Sequence, residues 1–192
     1  AFIMTGLPVA YLEQFEEPPG YMEFASTGPV SHRVRRAMAE VLEVVASPSR
    51  NASQAIAPRL EAASAAMARL VGASADRVTT IPSTSAGIFQ VAFGLLGIGG
   101  NVVVPAHEFP ANVYPWLRAE AVGGPEVRLV SCPDFRVTAA SLAPAVDAET
   151  RAVAVSLVDF VTGFRCDLDE LRRAFPAHLL VVDGIQGLGA VA

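Results

Sequence analysis

Three short polar segments hold most of the residues in this chain that can bind or transform a small molecule. Ser83-Thr84-Ser85-Ala86-Gly87 lies between two apolar runs. It places hydroxyls and backbone N–H groups at the start of a helix, where the helix dipole favours an anion. Thr84 and Ser85 hydroxyls suit phosphate oxygens, and the same residues suit a plain helix cap. Asp183 directly follows Leu179-Leu180-Val181-Val182. A carboxylate at the end of a buried strand is costly unless it is paired. It reads either as the partner of a cationic ligand atom or as a structural ion pair or cap. Gln186 stands on the same turn and within reach of the same ligand. His107-Glu108-Phe109-Pro110-Ala111-Asn112 follows Val102-Val103-Val104. Phe109 there reads as a stacker for a flat ring or as ordinary core.

Taken together, these residues supply a phosphate cradle, a ring stacker and a carboxylate for a ring nitrogen. Those are the contacts pyridoxal phosphate needs, and that cofactor would carry the chemistry. Other chemistries find less support. All 14 basic residues are arginine, so these residues contain no phosphate-loop lysine, lysine base or lysine Schiff base. A net charge of −5 argues against a nucleic-acid surface. There is no G-x-S-x-G elbow, and only His32, His107 and His178 are available as bases. His107-Glu108 lacks the second histidine of H-E-x-x-H, and no C-x-x-C pair occurs, so no metal site is expected. Gly184, Gly187 and Gly189 follow a strand but are spaced G-x-x-G-x-G, which supports a nicotinamide dinucleotide site only poorly.

Cys132 and Cys166 are too few for a disulfide framework and read as reduced thiols of a cytoplasmic protein. The first residues lack the features of a signal peptide. Val78 to Ala106 is uncharged and long enough to raise a membrane helix. Pro82, Ser83-Thr84-Ser85 and Gly99-Gly100-Asn101 cut it into pieces, so a buried helix between two strands is expected and no membrane contact.

The elements that must position these residues follow from periodicity. Ser31 caps a helix carrying Val34, Met38, Val41, Leu42 and Val45 at helical spacing. Ser47 to Ser53 reads as a loop. A second helix runs to Leu70 or Val71, with Pro58 near its start and Gly72 as its stop. Strands are expected at Val78–Ile81, Val102–Val104, Val127–Val130, Ala152–Val158 and Leu179–Val182. Helices are expected at Ala86–Leu96, Ala111–Ala121 and Asp167–Ala174. Short apolar strands alternating with helices imply α/β architecture, with a mostly parallel sheet covered on both faces. The hydrophobic fraction of 52% is ample for such a core. Ligands of open α/β sheets bind outside the C-terminal strand ends, where the three polar segments fall.

Tyr21 to Pro29 (YMEFASTGP), Thr84 to Ala92 (TSAGIFQVA), Glu108 to Trp116 (EFPANVYPW), Val158 to Gly163 (VDFVTG) and Asp183 to Gly189 (DGIQGLG) occur in a telling order. That series resembles the class V aminotransferase family of fold type I pyridoxal-phosphate enzymes. Cysteine desulfurases, isopenicillin N epimerase and kynureninase relatives belong to it. The resemblance implies a three-layer αβα fold, truncated here: a lead-in over 1–20, then the N-terminal part of the cofactor-binding large domain over 21–192. The rest of the large domain and the small domain would be absent. Ser85 and the Ala86 amide would hold the phosphate, with Thr84 assisting. Phe109 would stack on the pyridine face. Asp183 would bind the protonated ring nitrogen and Gln186 the ring 3-oxygen. Asp159 would touch the cofactor, and Phe160 would be a packing residue.

The family's Schiff-base lysine lies shortly beyond the Asp-x-x-Gln turn, so no catalytic residue is expected within these 192 residues. The implied function is chemistry at the α-carbon of an amino acid: transamination, epimerisation or lyase chemistry, by a cytoplasmic homodimer. The alternative is a non-catalytic scaffold relative that has lost its lysine. Phe109 stands where desulfurases place histidine, and neither cysteine matches the desulfurase nucleophile. The first point tilts the reading toward the epimerase, aminotransferase or kynureninase-like side; the second means only that neither cysteine argues for desulfuration.

Overall fold

The computed structural model describes residues 8–24, 26–47 and 51–190. The chain forms two compact units, Ala1–Thr80 and Ile81–Ala192.

The first unit is helical: α1 spans Val9–Leu12, α2 His32–Ala46 and α3 Ala52–Val71. Ser31 caps α2, its hydroxyl accepting from the Val34 N–H at 3.3 Å. Asn51 caps α3 by accepting from the Gln54 N–H at 3.3 Å, so this helix begins inside the expected loop. Pro58 therefore sits within α3 rather than near its start. Gly72 ends α3 with φ +67°, the left-handed cap that glycine adopts without steric cost. In the segment from Tyr21 to Pro29 the described residues form turns and no strand, and the Tyr21 hydroxyl donates to the Thr27 carbonyl at 2.7 Å. Residues 48–50, in the expected loop, lie outside the described residues.

The second unit is a four-stranded sheet with helices on both faces. Its strands are β1 (Asn101–Pro105), β2 (Glu126–Val130), β3 (Thr150–Ser156) and β4 (Leu179–Asp183). The spatial order is β2-β1-β3-β4 and every pairing is parallel. Its helices are α4 (Thr84–Phe93), α5 (Tyr114–Glu120), α6 (Ala139–Leu142) and α7 (Leu168–Ala174). The expected strand at Val78–Ile81 does not form. A strand exists only through a hydrogen-bonded neighbour, and this run has none among the described residues.

Strand alternation sorts the core into two halves. Val102, Val104, Ala152 and Ala154 pack with Ile88 and Ala92 of α4 and with Trp116 and Ala119 of α5. Val103, Val153 and Val155 pack on the other face with Leu142 of α6, Leu171 of α7, Phe175 and both cysteines. The central strands β1 and β3 are buried on both faces, which is why they read as unbroken apolar runs. Burying each Val or Leu side chain contributes about 1.5–3 kcal/mol. Gly100 leads into β1 at φ +76°, and a Cβ there would collide with the Glu149 carbonyl oxygen.

The strand order creates a crevice. The chain steps from β1 to β2 on one side, then crosses back over β1 to β3 and β4. Right-handed crossovers in opposite directions put α5 and α7 on opposite faces. The C-terminal ends of β1 and β3 thus mark the topological switch point, where open α/β sheets take their ligands.

Candidate cofactor site

Four segments carry the candidate residues: α4, which packs against the Pro110–Asn112 turn beyond β1, and the segments that follow β4, β1 and β3. The first is the N-terminus of α4. Ser83 is its cap, with its Oγ accepting from the Ala86 N–H at 3.2 Å. The first intrahelical bond runs from the Gly87 N–H to the Ser83 carbonyl at 3.2 Å. Helix geometry leaves the amides of Thr84 and Ser85 pointing out of the first turn. The cap therefore leaves these two amides free for another acceptor. Ser83 takes up the Ala86 amide that sequence reasoning had reserved for phosphate, and Thr84 and Ser85, both half-buried, keep amide and hydroxyl donors.

The second segment is the end of β4. Asp183 is 4% exposed. Its Oδ1 accepts from the Ile185 N–H at 3.0 Å, while Oδ2 has no partner among the described residues. An unpaired buried carboxylate oxygen costs about 1–3 kcal/mol or more. A protonated ring nitrogen is the type of donor that would satisfy it. Oδ1 thus caps the next turn, one of the expected alternatives, but neither that cap nor an ion pair accounts for Oδ2. Gln186 stands exposed in the turn that follows.

The third and fourth segments leave β1 and β3 and clasp each other residue by residue. Glu108 is buried, and its Oε1 accepts from the Ser156 N–H at 2.6 Å. Its Oε2 accepts from the Ser156 hydroxyl in a very short contact. His107 on one side faces Asp159, Nε2 to Oδ2 at 3.7 Å, and its ring meets Phe135 edge-on at 4.7 Å. Phe109 on the other side meets Phe160 edge-on, with ring centroids 5.3 Å apart. Phe109 is 44% exposed, so it is not ordinary core, and part of its surface remains open to a ligand. Phe160 packs against Phe109 rather than into the interior, being itself 46% exposed.

Asp159 is turned toward its own loop. Its Oδ1 accepts from the Val161 N–H at 3.1 Å and from the Thr162 N–H and hydroxyl, each at 2.7 Å. Burial pushes this carboxyl up, but the Thr162 and Val161 hydrogen bonds and the nearby His107 outweigh it. The group is held below its ordinary value. Both oxygens have partners within the chain, so the structure gives Asp159 a role in shaping the loop.

Phe109 and Asp183 thus lie on segments that leave the C-terminal ends of β1 and β4, and Thr84 and Ser85 lie at the start of α4. Sequence reasoning missed Glu108 and Ser156 as a pair. They are 48 residues apart, and no local pattern links them. It also missed Asn112, a fully buried side chain whose Oδ1 accepts from the Trp116 Nε1–H at 3.5 Å while its Nδ2 is unpartnered. No group of three or more His, Cys, Asp or Glu suited to a metal occurs among the described residues, and no described helix is long and apolar enough to cross a membrane. Cys132 and Cys166 are free and buried. Burial pushes the Cys132 thiol up, and burial with Glu170, Glu108 and Asp167 nearby pushes the Cys166 thiol up to about 12.

A parallel sheet switched between β1 and β3, with a Ser83-capped helix start and a buried carboxylate at a strand end, is the framework of the large domain of fold type I pyridoxal-phosphate enzymes. The chain belongs to the class-V aminotransferase family, whose pattern it matches over residues 20–191. That family uses pyridoxal phosphate. A probable cysteine desulfurase of Methanothermobacter thermautotrophicus is 34% identical over 179 residues, covering 88% of this chain and 44% of that protein. A cysteine desulfurase of Escherichia coli is 28% identical over 201 residues, covering 96% and 46%. The chain therefore spans about half the length of these relatives.

Among solved structures, the E. coli cysteine desulfurase CsdA superposes with a TM-score of 0.75 at 24% identity, covering 95% of this chain and half of that one. The cystine C–S lyase C-DES superposes with a TM-score of 0.77 at 20% identity, covering 88% and 48%. A C-DES variant has been solved with glycine linked to its PLP cofactor. These likenesses establish the fold. The relatives named here act on sulfur amino acids, the branch from which Phe109 had tilted the sequence reading.

Proposed function

We propose that this chain is the cofactor-binding part of a pyridoxal-phosphate-dependent enzyme acting at the α-carbon of an amino acid, with cysteine as the first substrate to test. The observation that carries the reading is the unpartnered Oδ2 of buried Asp183 at the end of β4. When bound, the cofactor supplies an electron sink for negative charge at the substrate α-carbon.

The chain's own residues hold and tune that group. Asp183 accepts the ring N–H and keeps the ring nitrogen cationic, which strengthens the pull on electrons. Thr84 and Ser85 donate to the phosphate from the start of α4, where the helix dipole adds to their hydroxyls. The amide of Ala86, occupied by Ser83, acts through the cap. Phe109 covers one ring face, and Phe160 braces it edge-on. Gln186 supplies an amide to the ring 3-oxygen. Asp159 shapes the neighbouring loop. With no lysine among the 192 residues, these contacts are all noncovalent.

The phenylalanine at position 109 keeps transamination, epimerisation and other lyase chemistry within the same reading. A homodimer goes with it. The test is titration of the intact protein with pyridoxal phosphate, followed by visible absorbance. L-cysteine is then supplied together with dithiothreitol, which reduces the released sulfane sulfur to sulfide, with sulfide and alanine measured, and other amino acids follow. Saturable binding and sulfide release support the reading. Binding without turnover of any amino acid would favour the scaffold alternative, and no saturable binding would overturn the cofactor assignment.

A further inference from the structure

We infer that Glu108 is a positioning residue that sets the separation between the ring-stacking Phe109 and the ring-nitrogen acceptor Asp183. The inference rests on the cofactor reading above and deepens it. Glu108 is a buried carboxylate that the assigned contacts do not use. It is bonded twice to Ser156, through the backbone N–H and through the hydroxyl. Ser156 is the register partner of Asp183 across the β3–β4 ladder. In a parallel pair, register partners project to the same face of the sheet, so Ser156 and Asp183 share a side. The ladder continues one step further, with the Leu157 N–H donating to the Asp183 carbonyl at 2.8 Å. In sequence, Glu108 is bonded directly to Phe109. One short chain of bonds thus runs from the ring stacker through the Glu108 carboxylate and Ser156 to the strand position that carries Asp183.

The location makes this link necessary. At the switch point the chain leaves β1 and β3 in opposite directions, and among the described residues no backbone hydrogen bond joins the two loops beyond the strand ends. The Glu108 side chain spans that gap with two hydrogen bonds to one residue, which fix its orientation as well as its distance. The two contacts on either side, His107 with Asp159 and Phe109 with Phe160, are longer and less directional. Glutamate is also the right length: its acceptors reach a backbone N–H and a hydroxyl of one residue at once. A glutamine retains both bonds if its Oε1 accepts from the Ser156 N–H and its Nε2 donates to the hydroxyl. An alanine retains neither and leaves the Ser156 N–H unpaired.

The test compares Glu108→Ala, Glu108→Gln and Ser156→Ala in the intact protein. Three quantities are read: the Kd for pyridoxal phosphate, the induced circular dichroism of the bound cofactor, and the thermal midpoint without cofactor. Glu108→Ala is expected to raise the Kd by about tenfold to a hundredfold, the range for outer partners of a binding group, and to diminish the induced dichroism. Glu108→Gln is expected to restore both, and Ser156→Ala to fall between. Thermal midpoints separate a displaced site from a lost fold, and if Glu108→Ala does not fold, Ser156→Ala against Glu108→Gln decides. Unchanged affinity and dichroism in both Glu108→Ala and Ser156→Ala, with binding intact in the parent, would overturn the inference alone. A parent protein that takes up no cofactor would overturn the reading on which it rests.

Discussion

Replacing Asp183 with asparagine should weaken cofactor binding without weakening the fold. The side chain is 4% exposed; one oxygen is held by the Ile185 N–H at 3.0 Å and the other is unpartnered. Asparagine preserves the first contact through its carbonyl oxygen. At the second position it puts an N–H where the ligand also presents an N–H. A hydrogen bond to a charged group is worth about 1.5–3 kcal/mol, so affinity for pyridoxal phosphate should fall about 10- to 150-fold. Stability without cofactor should move the other way. The native carboxylate is a buried charge with one oxygen unsatisfied, and the amide is neutral. The cofactor-free thermal midpoint should therefore hold or rise, by about 2–4 °C for each kcal/mol gained in a chain of this size. The assay is a fluorescence titration with pyridoxal phosphate beside thermal unfolding of the cofactor-free intact protein. Opposite signs for affinity and stability support the reasoning. Unchanged affinity, or a loss of affinity in step with a fallen midpoint, would refute it.

Other substitutions separate the remaining contacts. Ser85→Ala should lower affinity for pyridoxal phosphate about twofold to tenfold, the worth of one hydrogen bond, and leave affinity for unphosphorylated pyridoxal unchanged; equilibrium dialysis with both ligands checks this. Leu171→Ala, in the fully buried core against β3, should cost about 2–5 kcal/mol by denaturant unfolding. The two thiols should resist Ellman's reagent in the folded protein and react on unfolding, because both are buried and the Cys166 thiol is pushed up to about 12. Asp147 is held well below its ordinary value of 3.8, at about 2, chiefly by the Arg128 guanidinium and then by Asn101. Its stabilising contribution is present above the unfolded value and disappears as pH falls from about 4 toward about 2. Asp147→Asn should flatten acid unfolding across that window, as followed by far-ultraviolet circular dichroism.

The local sequence determined the elements and the identity of the polar groups at the sheet edge. Ser31 and Gly72 bound helices because their side-chain or backbone chemistry acts within a few residues. Leu179 to Val182 announced a strand and Asp183 an unusual carboxylate, although β4 lies at the sheet edge with Leu179 and Val182 exposed and only Asp183 buried. Helix boundaries drifted where a cap two residues earlier prevailed, as Ser83 did for α4 and Asn51 for α3.

Tertiary structure alone decided what required a partner from far along the chain. The run at Val78–Ile81 has strand-like composition and no strand, because a ladder needs a neighbour. Asp159 looked like a cofactor contact and became the centre of its own turn, since Thr162 and His107 consume its oxygens. The strand order β2-β1-β3-β4, and with it the switch point, depends on long-range pairing. So does the bond between Glu108 and Ser156. Periodicity and capping act over one or two turns of chain, whereas a hydrogen bond across a sheet joins residues that only the completed fold brings within 3 Å.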